Sequence, residues 1–315
     1  MHDDVTACTE RSAVRRGLDA TSTSEGHFAI LALDHIGSMA ATMVPDNPEI
    51  VTNRQLVDAK TQIVRALRHV ASAVLLDPMV GYSSVQTPSE LADGIGLVLG
   101  IEASDYTSPQ SVPHLLEGWS VERAAAAGAD AVKISFRFDP AEDTRSVERF
   151  VADVAGECRR SALPLFAEPL GVFRAAGDRR RVTVEAARRF GELGVDVLKL
   201  EFPEDIAVVA DQAVWFEACA QVDAASPVPW TVLSAGEPFA RFHAMVGVAS
   251  DAGASGFVAG RALWRESVAG GTVDSAAAKR AAGRLERLIE LVRDRARPWS
   301  QHHSWISPPH HDGAT

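Results

Sequence analysis

Cysteine is scarce in this chain: three residues in 315, Cys8, Cys158 and Cys219, odd in number and far apart. They build neither a disulfide framework nor a zinc-ligand spacing, and such usage points to a reducing compartment. Long apolar runs are missing as well. No stretch reaches the roughly 18 apolar residues of a membrane-spanning helix. The first residues, MHDDVTACTERS, are polar and acidic, without the apolar core of a signal peptide. Cations are in the minority, with Lys+Arg 31 against Asp+Glu 42 and a formal net charge of −11. A surface this acidic is unsuited to gripping a phosphodiester backbone, though it leaves room for one small basic pocket for an anionic metabolite. No GxGxxG opens a helix after the first strand-like run; the glycines of GIGLVLG (94–100) flank and enter a strand instead. The absences together predict a cytoplasmic protein whose partner is a small molecule, with neither nucleic acid nor membrane as partner.

What is present reads as globular: 46% hydrophobic and 23% charged residues. Length alone suggests two domains, but an α/β barrel spends about 250 residues on one. Eight short apolar runs recur, each bounded by glycine, proline or an acidic residue. They are FAILALD (28–34), SAVLLDP (72–78), GLVLGIE (96–102), DAVKISF (130–136), PLFAEPL (164–170), DVLKLEF (196–202), PWTVLSA (229–235) and GFVAGRA (256–262). Near-continuous apolarity marks strands covered on both faces, and eight is the number a closed parallel barrel needs. Between them helical spacing runs over 54–70, 119–128, 182–194, 207–220, 238–252 and 275–295. AAAAGADAVK, RFGELGVDVLK and ASDAGASGFVAG repeat one pattern: a helix stopped by glycine, then a strand. The expected fold is a single-domain (β/α)8 TIM barrel over 25–297. A polar N-terminal extension (1–24), with a short helix near 11–20 capping the barrel floor, precedes it. A His/Pro-rich tail (298–315), read as loose and solvated rather than as a metal site, follows; His302, His303, His310 and His311 lie in it.

In such a barrel chemistry belongs at the C-terminal ends of the strands. The polar residues there are Asp34 and His35, Asp77, Glu102 followed by Ser104, Asp105 and Tyr106, then Lys133, Glu168, Lys199 and Glu201, Ser234 and Gly236, and Gly260 and Arg261. Two lysines inside apolar strand runs are the unusual feature, because lysine is almost never fully buried unless paired or used. One reading has each closing the barrel through a carboxylate, Lys133 with Glu168 for instance. The other makes one of them a nucleophilic amine, activated by desolvation and a neighbouring cation, that forms an iminium with a ketone. Glu168, between them in strand order, is then placed to move a proton. At the ends of the seventh and eighth runs, Ser234, Gly236, Gly260 and Arg261 suit a phosphate.

At these residues the chain resembles a known family. LALDHIGSM, LLDPMVGYSS, GADAVKISFRFD, LFAEP, GVDVLKLEFP, PWTVLSAG and GASGFVAGRALW are similar, in order over about 28–268, to the tagatose-1,6-bisphosphate aldolases. These are class I barrel aldolases that include the sulfofructose-phosphate aldolases. The resemblance implies Lys199 as the Schiff-base lysine, Lys133 as its cationic neighbour, Glu168 as acid/base and Asp34 as a contact for substrate hydroxyls. It implies His35, Ser234, Gly236, Gly260 and Arg261 as substrate-binding, with no cofactor and no metal. The implied reaction is retro-aldol cleavage of a phosphorylated ketose to a dihydroxyacetone-phosphate-like product and an aldehyde. The family usually reads Asp-Gln-Arg after the first strand, and this chain reads Asp34-His35-Ile36, so one cation for a second anionic group is missing. Two alternatives stay open here: a 2-deoxy-5-keto-gluconate-phosphate aldolase of inositol catabolism, and a non-catalytic sugar-phosphate-binding barrel. Barrel aldolases often associate, and Trp264 suits either rim packing or a homo-oligomer interface.

Overall fold

A computed structural model describes residues 2–85, 94–103, 112–175 and 177–306. Each of the eight apolar runs forms a strand: β1 (Phe28–Leu33), β2 (Ala73–Leu76), β3 (Gly96–Gly100), β4 (Ala131–Phe138), β5 (Leu165–Gly171), β6 (Val197–Leu200), β7 (Trp230–Leu233) and β8 (Gly256–Ala259). All pairs are parallel, each strand beside its sequence neighbour, and β1 closes on β8. The near-continuous apolarity has the cause inferred for it. Alternate residues such as Leu31, Val74, Ile134 and Leu198 pack outward under helices. Their neighbours Phe28, Ile30, Leu75, Ala131, Phe166 and Val197 fill the barrel.

The helices are α1 (His2–Thr21), α2 (Gly37–Met43), α3 (Asn53–Leu67), α4 (Val121–Ala126), α5 (Arg145–Arg160), α6 (Asp178–Gly191), α7 (Gln212–Ala225), α8 (Phe239–Asp251), α9 (Arg261–Val268), α10 (Ser275–Arg295) and α11 (His303–Ile306). Their starts are written in the sequence. Thr52 and Gln55 form a reciprocal capping box on α3, the Ser120 hydroxyl accepts the Arg123 N–H on α4, and Asp274 takes the Ala276 and Ala277 N–H groups on α10. The sequence reading places no helix over 145–160, where α5 lies. Its buried Val151, Val154, Ala155 and Cys158 keep helical spacing amid a charged stretch. α6 begins at Asp178, whose carboxylate accepts the Arg174 and Ala175 N–H groups, so Thr183 is an interior residue and not a start.

The floor of the barrel is where the two chain ends meet. Val14 and Leu18 of α1 join the interior cluster with Trp299, which is fully buried and donates its indole N–H to Ser22 Oγ at 3.2 Å. Trp299 also stacks edge-on against Trp305. A loose solvated tail is therefore corrected for 298–306: this stretch is packed, and His302 is buried. Burial holds the His302 imidazole down at about 3, in its neutral form. His310 and His311 lie outside the described residues, as do Ser104, Asp105 and Tyr106. Residues just ahead of the even strands cap the odd ones. Ser72 Oγ accepts the Ala29 N–H, Asp130 that of Leu97 and Asp196 that of Leu165. No described helix is long and apolar enough to cross a membrane.

Candidate active site

The strand period places the site. On β4 the inward row runs from Ala131 through Lys133 to Ser135, on β5 from Phe166 to Glu168, and on β6 from Val197 to Lys199. Ala131, Phe166 and Val197 belong to the apolar plug, and the polar residues form the next layers toward the mouth. Register completes the placement. Ser135 sits directly opposite Glu168 across β4 and β5, and Lys199 opposite Thr231 across β6 and β7.

Lys199 Nζ donates to Glu168 Oε2 at 2.8 Å, and Lys133 Nζ lies 2.9 Å from the same oxygen. Lys133 also donates to Asp34 Oδ2 at 2.9 Å and to Glu102 Oε1 at 2.6 Å. The Ser135 hydroxyl donates to Glu168 Oε2 at 2.6 Å. Lys133, Lys199, Ser135 and Glu168 are all buried. Two ammonium groups are thus enclosed by three carboxylates, an arrangement that offsets the cost of taking these charges out of water. Burial opposes ionisation of Glu168, yet Lys133 and Lys199 outweigh it and hold the carboxyl below its usual range. Asp34 behaves alike: burial raises it, while Lys133, His35 and Lys199 bring it well below the usual carboxylate range. Glu102 goes the other way. Burial pushes it up more strongly than Lys133 pulls it down, and its enclosed Oε2 has no hydrogen-bond partner among the described residues. Each strand lysine is therefore ion-paired, as the first reading expects for Lys133 and Glu168, and both converge on one glutamate.

His35 lies beside Asp34, Nδ1 to Oδ1 3.2 Å, with its ring edge-on to Trp264. Gly260 is there because of this close approach: a Cβ would stand 2.9 Å from His35 Cε1 and 3.1 Å from the Ala32 carbonyl. After β7 the buried Ser234 is followed by Ala235 and Gly236, both left-handed at φ 45° and 81°. Arg261, the first residue of α9, points its guanidinium at Gly236, where a Cβ would be 3.2 Å from Cζ. Arg265, one turn later, comes back to the same glycine and donates Nη2 to its carbonyl at 2.8 Å. Burial and Arg265 lower Arg261 from its ordinary value, while Asp34 and Glu168 act in the opposite sense. Two guanidinium groups thus gather around one glycine at the edge of the lysine cluster, with no salt bridge to either among the described residues.

Every residue expected at the site lies at the strand C-terminal ends. Lys133, Lys199, Glu168, Asp34 and His35 form one cluster, and Ser234, Gly236, Gly260 and Arg261 lie along its edge. Three members carry no role in the sequence reading. Glu102 ends its strand as an acidic residue, Ser135 follows Lys133 at the inward period of two, and Arg265 follows Arg261 at the helical period of four. Asp77 has a different task. It pairs with the fully buried Lys60 of α3 and accepts the Met79, Val80 and Gly81 N–H groups, holding the turn after β2. No group of three or more His, Cys, Asp or Glu among the described residues is arranged to hold a metal ion.

Comparison with known proteins agrees with this geometry. The model of the DeoC/LacD family aldolases matches residues 28–266. A tagatose 1,6-diphosphate aldolase of Streptococcus pneumoniae is 29% identical over 331 residues, covering 94% of this chain and 99% of that protein. One from Listeria monocytogenes serotype 4b is 31% identical over 282 residues, covering 80% and 81%. Among solved structures, an archaeal fructose 1,6-bisphosphate aldolase superposes with TM-score 0.64 at 21% identity, over 89% of this chain and 99% of that one. That similarity speaks to the fold.

Proposed function

The chain belongs to the DeoC/LacD family of aldolases, which are carbon–carbon lyases, and from that premise we propose that it cleaves a phosphorylated ketose through a Schiff base on Lys199. The observation that carries this reading is the buried Lys199 amine sharing one oxygen of Glu168 with a second buried lysine. The Lys199 ammonium passes a proton to Glu168, and the free amine adds to the ketone. Glu168 returns the proton to the carbinolamine hydroxyl as it leaves as water, so the charge enclosed by the three carboxylates is the same before and after. Glu168 then removes the proton of the hydroxyl across the scissile bond. The carbon–carbon bond breaks, its electron pair turns the iminium into a neutral enamine, and the aldehyde leaves. The same proton returns to the enamine carbon, and water releases the second product from Lys199. Asp34 and His35 orient substrate hydroxyls, while Lys133 keeps Glu168 and Asp34 ionised.

Arg261, with Arg265 beside it and the Ser234–Gly236 turn, supports a phosphate at one end and a dihydroxyacetone-phosphate-like product. The tagatose 1,6-diphosphate aldolases among the relatives support a ketose as substrate. The three scattered cysteines, suited to a reducing compartment, support a cytoplasmic location for the reaction. Borohydride added with a panel of phosphorylated ketoses should reduce the iminium and leave a stable adduct, located by peptide mass spectrometry on Lys199. Lys199→Ala should give neither adduct nor turnover, and Glu168→Gln should lower kcat by about 10²- to 10⁴-fold. Turnover without any trapped adduct, abolished by a chelator, would overturn the reading.

A further inference from the structure

We propose that Ser135 is a positioning residue of this reaction: its hydroxyl pins Oε2 of Glu168, so that the substrate's hydroxyl proton is taken by Oε1. The inference rests on the reading of Glu168 as acid/base. Ser135 Oγ, Lys199 Nζ and Lys133 Nζ meet at Oε2 at 2.6, 2.8 and 2.9 Å. The Ser135 hydroxyl and the Lys199 ammonium hydrogen-bond to this one carboxylate oxygen, and the Lys133 ammonium meets it as an ion pair. Among the described residues none is directed at Oε1, which therefore keeps its lone pairs for a proton.

The three groups are not equivalent during turnover. The Lys199 ammonium has three N–H bonds; the protonated iminium that replaces it has one, directed by the plane of the new C=N bond. Lys133 sits on a long flexible stem, hydrogen-bonds to Asp34 and Glu102, and meets Glu168 as an ion pair. Ser135 has a single rotatable bond and faces Glu168 across a directly registered strand pair, with both side chains buried. It is the donor whose geometry the chemistry leaves untouched. A hydroxyl enclosed in a barrel is also costly without a partner, and Glu168 Oε2 is the acceptor it has here.

The test compares Ser135→Ala and Ser135→Thr with the wild type by kcat and KM across pH, borohydride trapping and thermal denaturation. Ser135→Ala should still trap the iminium on Lys199, with KM close to wild type. Its kcat should fall about 10- to 100-fold, the effect of one hydrogen bond to a charged group. The acid limb of its kcat/KM profile should move to higher pH, because a donor that stabilises the carboxylate has been removed. Ser135→Thr, which keeps the hydroxyl, should restore the wild-type limb. An Ala variant with an unmoved acid limb and near-wild-type kcat would overturn the proposal, whatever its melting temperature. Should Ser135→Ala lose the fold, Thr carries the test, and a displaced limb in that variant overturns it. Glu168→Gln separates the two ideas. If it retains turnover, the acid/base role of Glu168 fails; if it is inactive while Ser135→Ala titrates like wild type, only the role of Ser135 fails.

Discussion

At the mouth of the barrel Asp34, Glu102 and Glu168 crowd around the Lys133 ammonium, whereas at the floor Asp130 and Asp196 each accept one backbone N–H and form no ion pair among the described residues. All five carboxyls lose water to the fold, and they respond differently. Asp34 and Glu168, within reach of both lysines, are held ionised. Asp196, for which burial outweighs the Leu165 N–H and the more distant Arg159, is raised to about 7, and Asp130 is raised in the same way. Glu102 touches Lys133 through one oxygen only and is raised as well. Burial alone does not set the charge of a carboxylate: two lysines acting together overcome it at Asp34 and Glu168, and one lysine does not at Glu102. The floor, with its apolar plug, needs only a group that satisfies a strand's first N–H. The mouth needs a charged base, and it holds buried lysines to keep one.

The largest effect should come from giving the mouth the chemistry of the floor. Lys133→Met leaves three carboxylates facing one lysine, a loss of about 3–5 kcal/mol at neutral pH for a buried ion pair stripped of one partner. The deficit should shrink as pH falls and the stranded carboxyls take up protons, and the acid limb of kcat/KM should move to higher pH. Denaturation from pH 4 to 8, with pH–rate profiles, checks both; a loss independent of pH would show that Lys133 acts through packing alone.

Next is the plug. Trp299→Ala removes a fully buried indole from the floor and should cost about 3–5 kcal/mol. Below its lowered melting temperature, the variant should trap the iminium on Lys199 as fully as wild type. Lost trapping in a folded variant would mean that floor and mouth are coupled.

The smallest effect is a slope. The folded Asp196 titrates near 7, above its unfolded value of 3.8, so the stability of its protonated form is complete below 3.8 and is lost as pH rises through about 7. Asp196→Asn keeps an acceptor for Leu165 without a titrating proton. Its melting temperature should match wild type near pH 4 and exceed it increasingly toward pH 8, and parallel curves would refute the assignment.

Much of this was legible beforehand, for identifiable reasons. The eight strands were, because a strand covered on both faces must be apolar nearly throughout. Lys133 and Lys199 stood out against that background for the same reason. α5 escaped because its apolar stripe lies in a charged stretch that reads as surface. Trp299 and His302 escaped because a segment rich in histidine and proline resembles a solvated tail, and only the opening at the barrel floor makes it a plug.

The sequence by itself determined the closed parallel barrel, the strands that carry the two lysines and the turns that present Ser234, Gly236, Gly260 and Arg261. These follow from period, burial and local turn chemistry, which act over a few residues. Which carboxylate each lysine meets, that Ser135 points at Glu168, that Arg265 returns to Gly236 and that the chain ends close the floor were decided only by tertiary structure. They depend on the register between neighbouring strands and on loops that bring together residues up to 293 positions apart. No local pattern carries that information, because the energy that selects it comes from contacts made after the ring has closed.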